Sequence, residues 1–134
     1  MALEIGNKDS IEFKVEDKDL AKNLEISADD NFPEVFATAR LVALMECSAA
    51  KVLIPYLEEG QLSVGVEVNV KHLAPTLSGD TAVSTATFDG IEGKLYKFSI
   101  EVVDSAGLIG TGTHTRAIVS KERLMSGANK RVGK

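Results

Sequence analysis

Phe32 to Leu57 reads FPEVFATARLVALMECSAAKVLIPYL, and this stretch decides the fold. It is long and apolar, but Glu34, Arg40, Glu46 and Lys51 interrupt it. A membrane span carries few or no charges over such a length, so the pattern predicts a buried core helix. Phe32-Pro33-Glu34 places proline in a first turn and an acid near the positive end of the helix dipole. Pro55 and then Glu58-Glu59-Gly60 close the segment. Within it, Glu46 is the only acid between Val35 and Leu57.

Strand patterns lie on both sides. Before the helix, Ile11, Phe13 and Val15 alternate with Glu12, Lys14 and Glu16, which predicts a half-buried strand. Asp17 to Asn31 is polar and reads as a loop or lid with room for a helical turn. After the helix come four strand signals. Leu62 to Leu73 is the first, and in it Val66, Val68, Val70 and His72 share one parity. Side chains alternate across a strand, so His72 is expected on the buried face with the valines. Thr81 to Phe88 follows, then a loop with two glycines over Asp89 to Lys94. Leu95 to Asp104 alternates Tyr96, Phe98, Ile100 and Val102 with Lys97, Ser99 and Glu101. Leu108 to Ser120 is the last strand, and Gly110 and Gly112 point to a bulge or a close backbone approach. Short turns imply antiparallel pairing. One sheet wrapped around one long central helix buries both, an α+β architecture.

The chain has 134 residues and is expected to form one domain over 1–134, with a basic tail at about 121–134. Its net charge of -5 and its lack of Trp argue against nucleic acid as the main partner. MALEIGNKDSIEF lacks the basic and apolar regions of a signal peptide. A single cysteine, Cys47, fits a reducing compartment, and the cytoplasm is the expected location. Cys47 is expected to be a small buried hydrophobe rather than a nucleophile. Two histidines and one cysteine lie far apart, without metal-ligand spacing, so no metal is expected.

A carboxylate and an imidazole aimed into one core are costly unless something pairs or uses them, which makes Glu46 and His72 a candidate site. Glu46 on a solvated helix face, and His72 satisfied by a backbone carbonyl, are the plainer alternatives. Burial would raise the Glu46 pKa toward a useful range. His114 and Arg116 share parity in the last strand, where a polar pair on a sheet face is the plainer reading. The basic tail, with Lys121, Arg123, Lys130, Arg131 and Lys134, is a solvated end or a terminal helix; contact with the phosphates of a substrate is the sharper alternative.

FPEVFATARLVALME, PYLEEGQLSVGVEVNVKHLAP, SGDTAV and GTGTHTRAIV resemble the fluoroacetyl-CoA thioesterase-like family of hotdog-fold proteins. They cover most of Phe32 to Val119. The resemblance implies a hotdog fold, hydrolysis of a small acyl-CoA thioester, no separate cofactor (coenzyme A is part of the substrate), no nucleic-acid or membrane partner, and a homodimer with its pocket at the interface. It implies a catalytic set of Thr38, Glu46 and His72, with Gly65 and Arg116 holding the substrate and Phe32 in the lid. Asp29 departs from the family pattern, which has a second lid phenylalanine there; a more ordinary acyl group than fluoroacetyl is therefore expected. Thr38 and Glu46 are eight residues apart, ~80° and roughly 12 Å along a helix, too far for a direct hydrogen bond. A hydratase or dehydratase of the same fold, or a non-catalytic acyl-CoA binding module, are the rival functions.

Overall fold

A computed structural model describes residues 2–134. The elements are β1 (Lys8–Lys14), α1 (Thr38–Leu53), β2 (Gln61–His72), β3 (Thr81–Glu92), β4 (Leu95–Asp104), β5 (Gly107–Ser120) and α2 (Lys121–Arg131), with 3-10 turns at Asp17–Asp19, Ala21–Asn23 and Ile54–Tyr56. The five strands form one antiparallel sheet in the order β1-β3-β4-β5-β2. The sheet wraps α1, which is the hotdog architecture the sequence pattern and resemblance predict. A second helix, α2, follows the sheet and buries none of its residues.

The core lies between the concave face of the sheet and one face of α1. Leu41, Leu44, Met45, Ala49, Val52 and Leu53 pack against Ala82, Ala86 and Phe88 of β3 and Phe98, Ile100 and Val102 of β4. Each fully buried leucine contributes about 1.5–3 kcal/mol. β5 lets the helix come close. A Cβ added to Gly110 would stand 3.1 Å from Leu41, and one added to Gly112 would stand 2.7 Å from the Asn69 carbonyl and 3.3 Å from Met45. The two glycines therefore mark a close approach, as their positions suggest.

Three local expectations need correction. The helix begins at Thr38, not at Phe32. The preceding backbone is held extended: Phe36 N–H donates to the Thr76 carbonyl and Ala37 N–H to the Asp19 carbonyl. Phe36 also stacks on Phe13 at 5.9 Å. Second, β3 runs on to Glu92; Phe88 pairs with Phe98 and Gly90 with Lys97, so Asp89 is an extra residue, and only Gly93 and Lys94 make the turn. Third, β2 carries a bulge. Gly65 pairs with Arg116 and Glu67 pairs with Thr115, so Val66 is an extra residue. The bulge shifts the alternation by one. Ser63 and Gly65 face inward before it, and Val68, Val70 and His72 line up inward after it, opposite His114, Gly112 and Gly110. Val66 and Val68 are exposed at 54% and 39% rather than buried.

Candidate active site

Thr38 is the first residue of α1. Its hydroxyl does not bond the helix backbone; Oγ1 lies 2.8 Å from His72 Nδ1 at the end of β2. His72 Nε2 is buried and has no hydrogen-bond partner among the described residues. Burial lowers the His72 pKa from its ordinary value, with the Ala74 backbone acting in the opposite direction. The ring is therefore neutral near pH 7. A Thr38 hydroxyl that donates to Nδ1 leaves the proton on Nε2. The pair lines a cleft of 440 Å³ whose other walls are mostly apolar, among them Leu24, Phe32, Val35 and Leu73. Phe32 is 45% exposed at its rim.

Glu46 lies about two turns further along α1 and meets a different set of groups. Its Oε1 accepts from Arg116 Nη1 at 3.2 Å. Its side chain is 40% exposed, so the expected burial is not found, and the carboxylate sits in an ion pair open to solvent on one side. It lies directly over Gly65, where an added Cβ would overlap Oε1. Only a residue without a side chain leaves this room for the carboxylate. Arg116 is anchored in turn: Nε donates to Ser63 Oγ and Nη2 to the Ser63 carbonyl, both at 2.9 Å. Its Nη1 also lies 3.1 Å from His114 Nε2.

The predicted site residues thus fall into two groups on one helix. Thr38 and His72 touch each other at the cleft, with Phe32 nearby. Glu46, Gly65 and Arg116 meet at the other group. His72 does not orient Glu46 within one chain; its Nδ1 partner is Thr38. Cys47, next to Glu46, is exposed rather than buried. Ser63 and His114 belong to the Glu46 group but do not stand out as site residues in the sequence. Asp19, fully buried, is a further such residue: its Oδ1 accepts from Arg40 Nε and Nη2, both at 3.0 Å, two residues past Thr38. Ser63 takes its place through its contacts with Arg116 across β2 and β5, and nothing local in the sequence signals Asp19.

The hotdog sheet thus holds a carboxylate, an arginine and a hydroxyl-bonded imidazole against one helix, groups suited to acid–base and acyl-transfer chemistry. Residues 15–122 match the family model for fluoroacetyl-CoA-specific thioesterase. The chain is 40% identical over 93 residues to the fluoroacetyl-CoA thioesterase of Streptantibioticus cattleyicolor, spanning 69% of this chain and 67% of that protein. The crystal structure of the fluoroacetyl-CoA thioesterase FlK superposes with a TM-score of 0.92 at 31% identity, over 97% of this chain and 98% of that one. A thioesterase superfamily member from Thermus thermophilus superposes with a TM-score of 0.87 at 25% identity, over 96% and 93%. The chain belongs to the fluoroacetyl-CoA-specific thioesterase family.

Proposed function

We propose that the protein hydrolyses the thioester of a small acyl-CoA to the free acid and coenzyme A, with Thr38, Glu46 and His72 as the reacting set. The observation that carries this is the buried, unpartnered Nε2 of His72 beside an apolar cleft. Thr38 fixes the ring so that Nε2–H can donate to the thioester oxygen as negative charge develops there. Gly65 and Arg116 hold the ester at the other group. Glu46 activates water as a general base or attacks the carbonyl itself. The thiolate leaves with little acid help, since a thiol ionises not far above neutral pH. Hydrolysis needs no further cofactor.

The working unit in this reading is a homodimer. β2 is one of the two edge strands of the sheet, and Gly65 to Asn69 on it are exposed, with the apolar Val66 and Val68 among them. An unpaired edge of this kind invites a partner strand. Antiparallel pairing of two copies about this stretch carries the Gly65–Glu46 end of one β2 toward His72 of the partner subunit. The two groups that stand apart within one chain then face each other. No helix among the described residues is long and apolar enough to cross a membrane, and the cytoplasm suits the acyl-CoA substrate and the free Cys47.

The test is thiol release from a panel of acyl-CoAs, from acetyl to medium-chain and aromatic, with Glu46→Gln beside the parent. Release that falls by about 10²–10⁴-fold in the variant supports the reading. Full turnover in Glu46→Gln would sink the mechanism. Loss of 2-enoyl absorbance without thiol release would favour a hydratase instead.

A further inference from the structure

We propose that His114 is a positioning residue of this site: neutral and protonated at Nδ1, it accepts from Arg116 and so holds the guanidinium against Glu46. This rests on the reading of Glu46 as a reacting carboxylate. His114 is 2% exposed. Its Nδ1 lies 2.7 Å from the Glu67 carbonyl, which can only accept, so Nδ1 carries a proton. Its Nε2 lies 3.1 Å from Arg116 Nη1, which can only donate, so Nε2 is bare. Both ring nitrogens are thereby used, and only one tautomer satisfies them.

The same Nη1 that donates to His114 also donates to Glu46. With Nε and Nη2 both on Ser63, the guanidinium is fixed on three sides. Removing the imidazole acceptor leaves a buried N–H unpaired and frees the guanidinium to turn about its Ser63 contacts. The Glu67 carbonyl that orients the ring comes directly after the Val66 bulge, so the bulge, the imidazole and the guanidinium form one chain of support.

Protonating His114 would set an N–H against the guanidinium and break the contact. The charged groups facing the ring are Arg116 from β5 and Glu46 from α1; Val68 of β2 and Phe98 of β4 lie opposite it and are uncharged. Burial, the largest effect, lowers the His114 pKa; the Glu67 carbonyl opposes it, Arg116 adds to the lowering, and Glu46 opposes it least. The neutral ring is thus kept at working pH.

The test combines side-chain ¹⁵N NMR of the intact protein with kinetics. At pH 7.5 the His114 ring should show a pyrrole-type Nδ1 and a pyridine-type Nε2, assigned with His72→Gln as the other of the two histidines. His114→Phe should lower kcat roughly 10–100-fold, as small misplacements of a reacting group do, with KM within about threefold. His114→Gln, which keeps a neutral acceptor, should restore kcat to within about fivefold of the parent and shift the acid limb of the pH profile to lower pH. A protonated ring, an Nε2–H tautomer, or parent kcat in a folded His114→Phe overturns the assignment. The NMR result stands even if His114→Phe does not fold. Full turnover in Glu46→Gln with an Nδ1–H ring identifies a failure of the mechanism for Glu46, not of the ring assignment.

Discussion

Thr38 Oγ1 and His72 Nδ1 stand 2.8 Å apart and join the first turn of α1 to the last residue of β2. The contact pairs the hydroxyl with Nδ1, and a hydroxyl that donates there leaves the proton on Nε2. Thr38→Val keeps the shape and removes the donor. It should lower kcat about 10–100-fold, and Thr38→Ser should recover most of it. Steady-state thiol release on both variants checks this.

Both histidines have pKa values lowered by burial, and this fixes the sign of the stability response to pH. As pH falls below the ordinary histidine value of about 6.5, the unfolded chain takes up protons that the folded chain refuses. Stability therefore declines as pH drops through that window and is level above it. Melting temperature should fall between pH 7.5 and pH 5.5. His114→Gln should flatten that fall; an unaltered slope would remove His114 as a contributor.

Gly65 leaves room for the Glu46 carboxylate on Arg116. The nearest atom an added Cβ would meet is the end of a flexible, partly exposed side chain, with His114 Cε1 next at 3.3 Å, so Gly65→Ala should fold with only a small shift of that ring. The carboxylate must move off Arg116 instead. Turnover should drop roughly tenfold or more, while melting temperature stays within a few degrees. Kinetics beside a thermal melt separates the two effects.

If the reacting groups meet across a dimer interface, two inactive variants should rescue each other. In a mixed dimer of His72→Ala and Glu46→Gln, one of the two composite sites is intact. Co-refolded mixtures should regain a substantial fraction of parental turnover, up to one intact site per mixed dimer. No rescue would place both groups in the same chain's site.

Arg40 is the partner of a fully buried carboxylate, Asp19, and also lies 6.0 Å over the Phe13 ring. Asp19 in turn accepts from Glu16 N–H and offers its carbonyl to Ala37. Arg40→Ala strands the carboxylate and should cost about 2 kcal/mol or more in chemical denaturation. Because the pair supports the residues just before Thr38, kcat should fall as well.

Much of the fold is legible because β4 and α1 follow simple periods. Tyr96, Phe98, Ile100 and Val102 point inward as alternation requires, with Lys97, Ser99 and Glu101 exposed or outward. β2 does not, because one extra residue resets its phase and no single-strand pattern announces a bulge. The helix start is misread for a similar reason: Pro33 and Glu34 suit a first turn, but carbonyls of Asp19 and Thr76, far off in sequence, claim the backbone ahead of it. Glu46 and His72 stand out because a lone acid and a lone imidazole interrupt apolar runs. Their partners do not, since Arg116, Ser63 and His114 acquire meaning only once β5 lies beside β2.

Val66 is left out of the β2–β5 pairing, and this bulge keeps both halves of the candidate site on one face of the strand. On an unbroken strand, Gly65 and His72 have opposite parity and would point to opposite sides of the sheet. A strand that paired Val66 into the ladder would keep every chemical group of the candidate site and turn part of them toward water. In this fold the register of a strand, shifted by a single residue, decides which groups share a face.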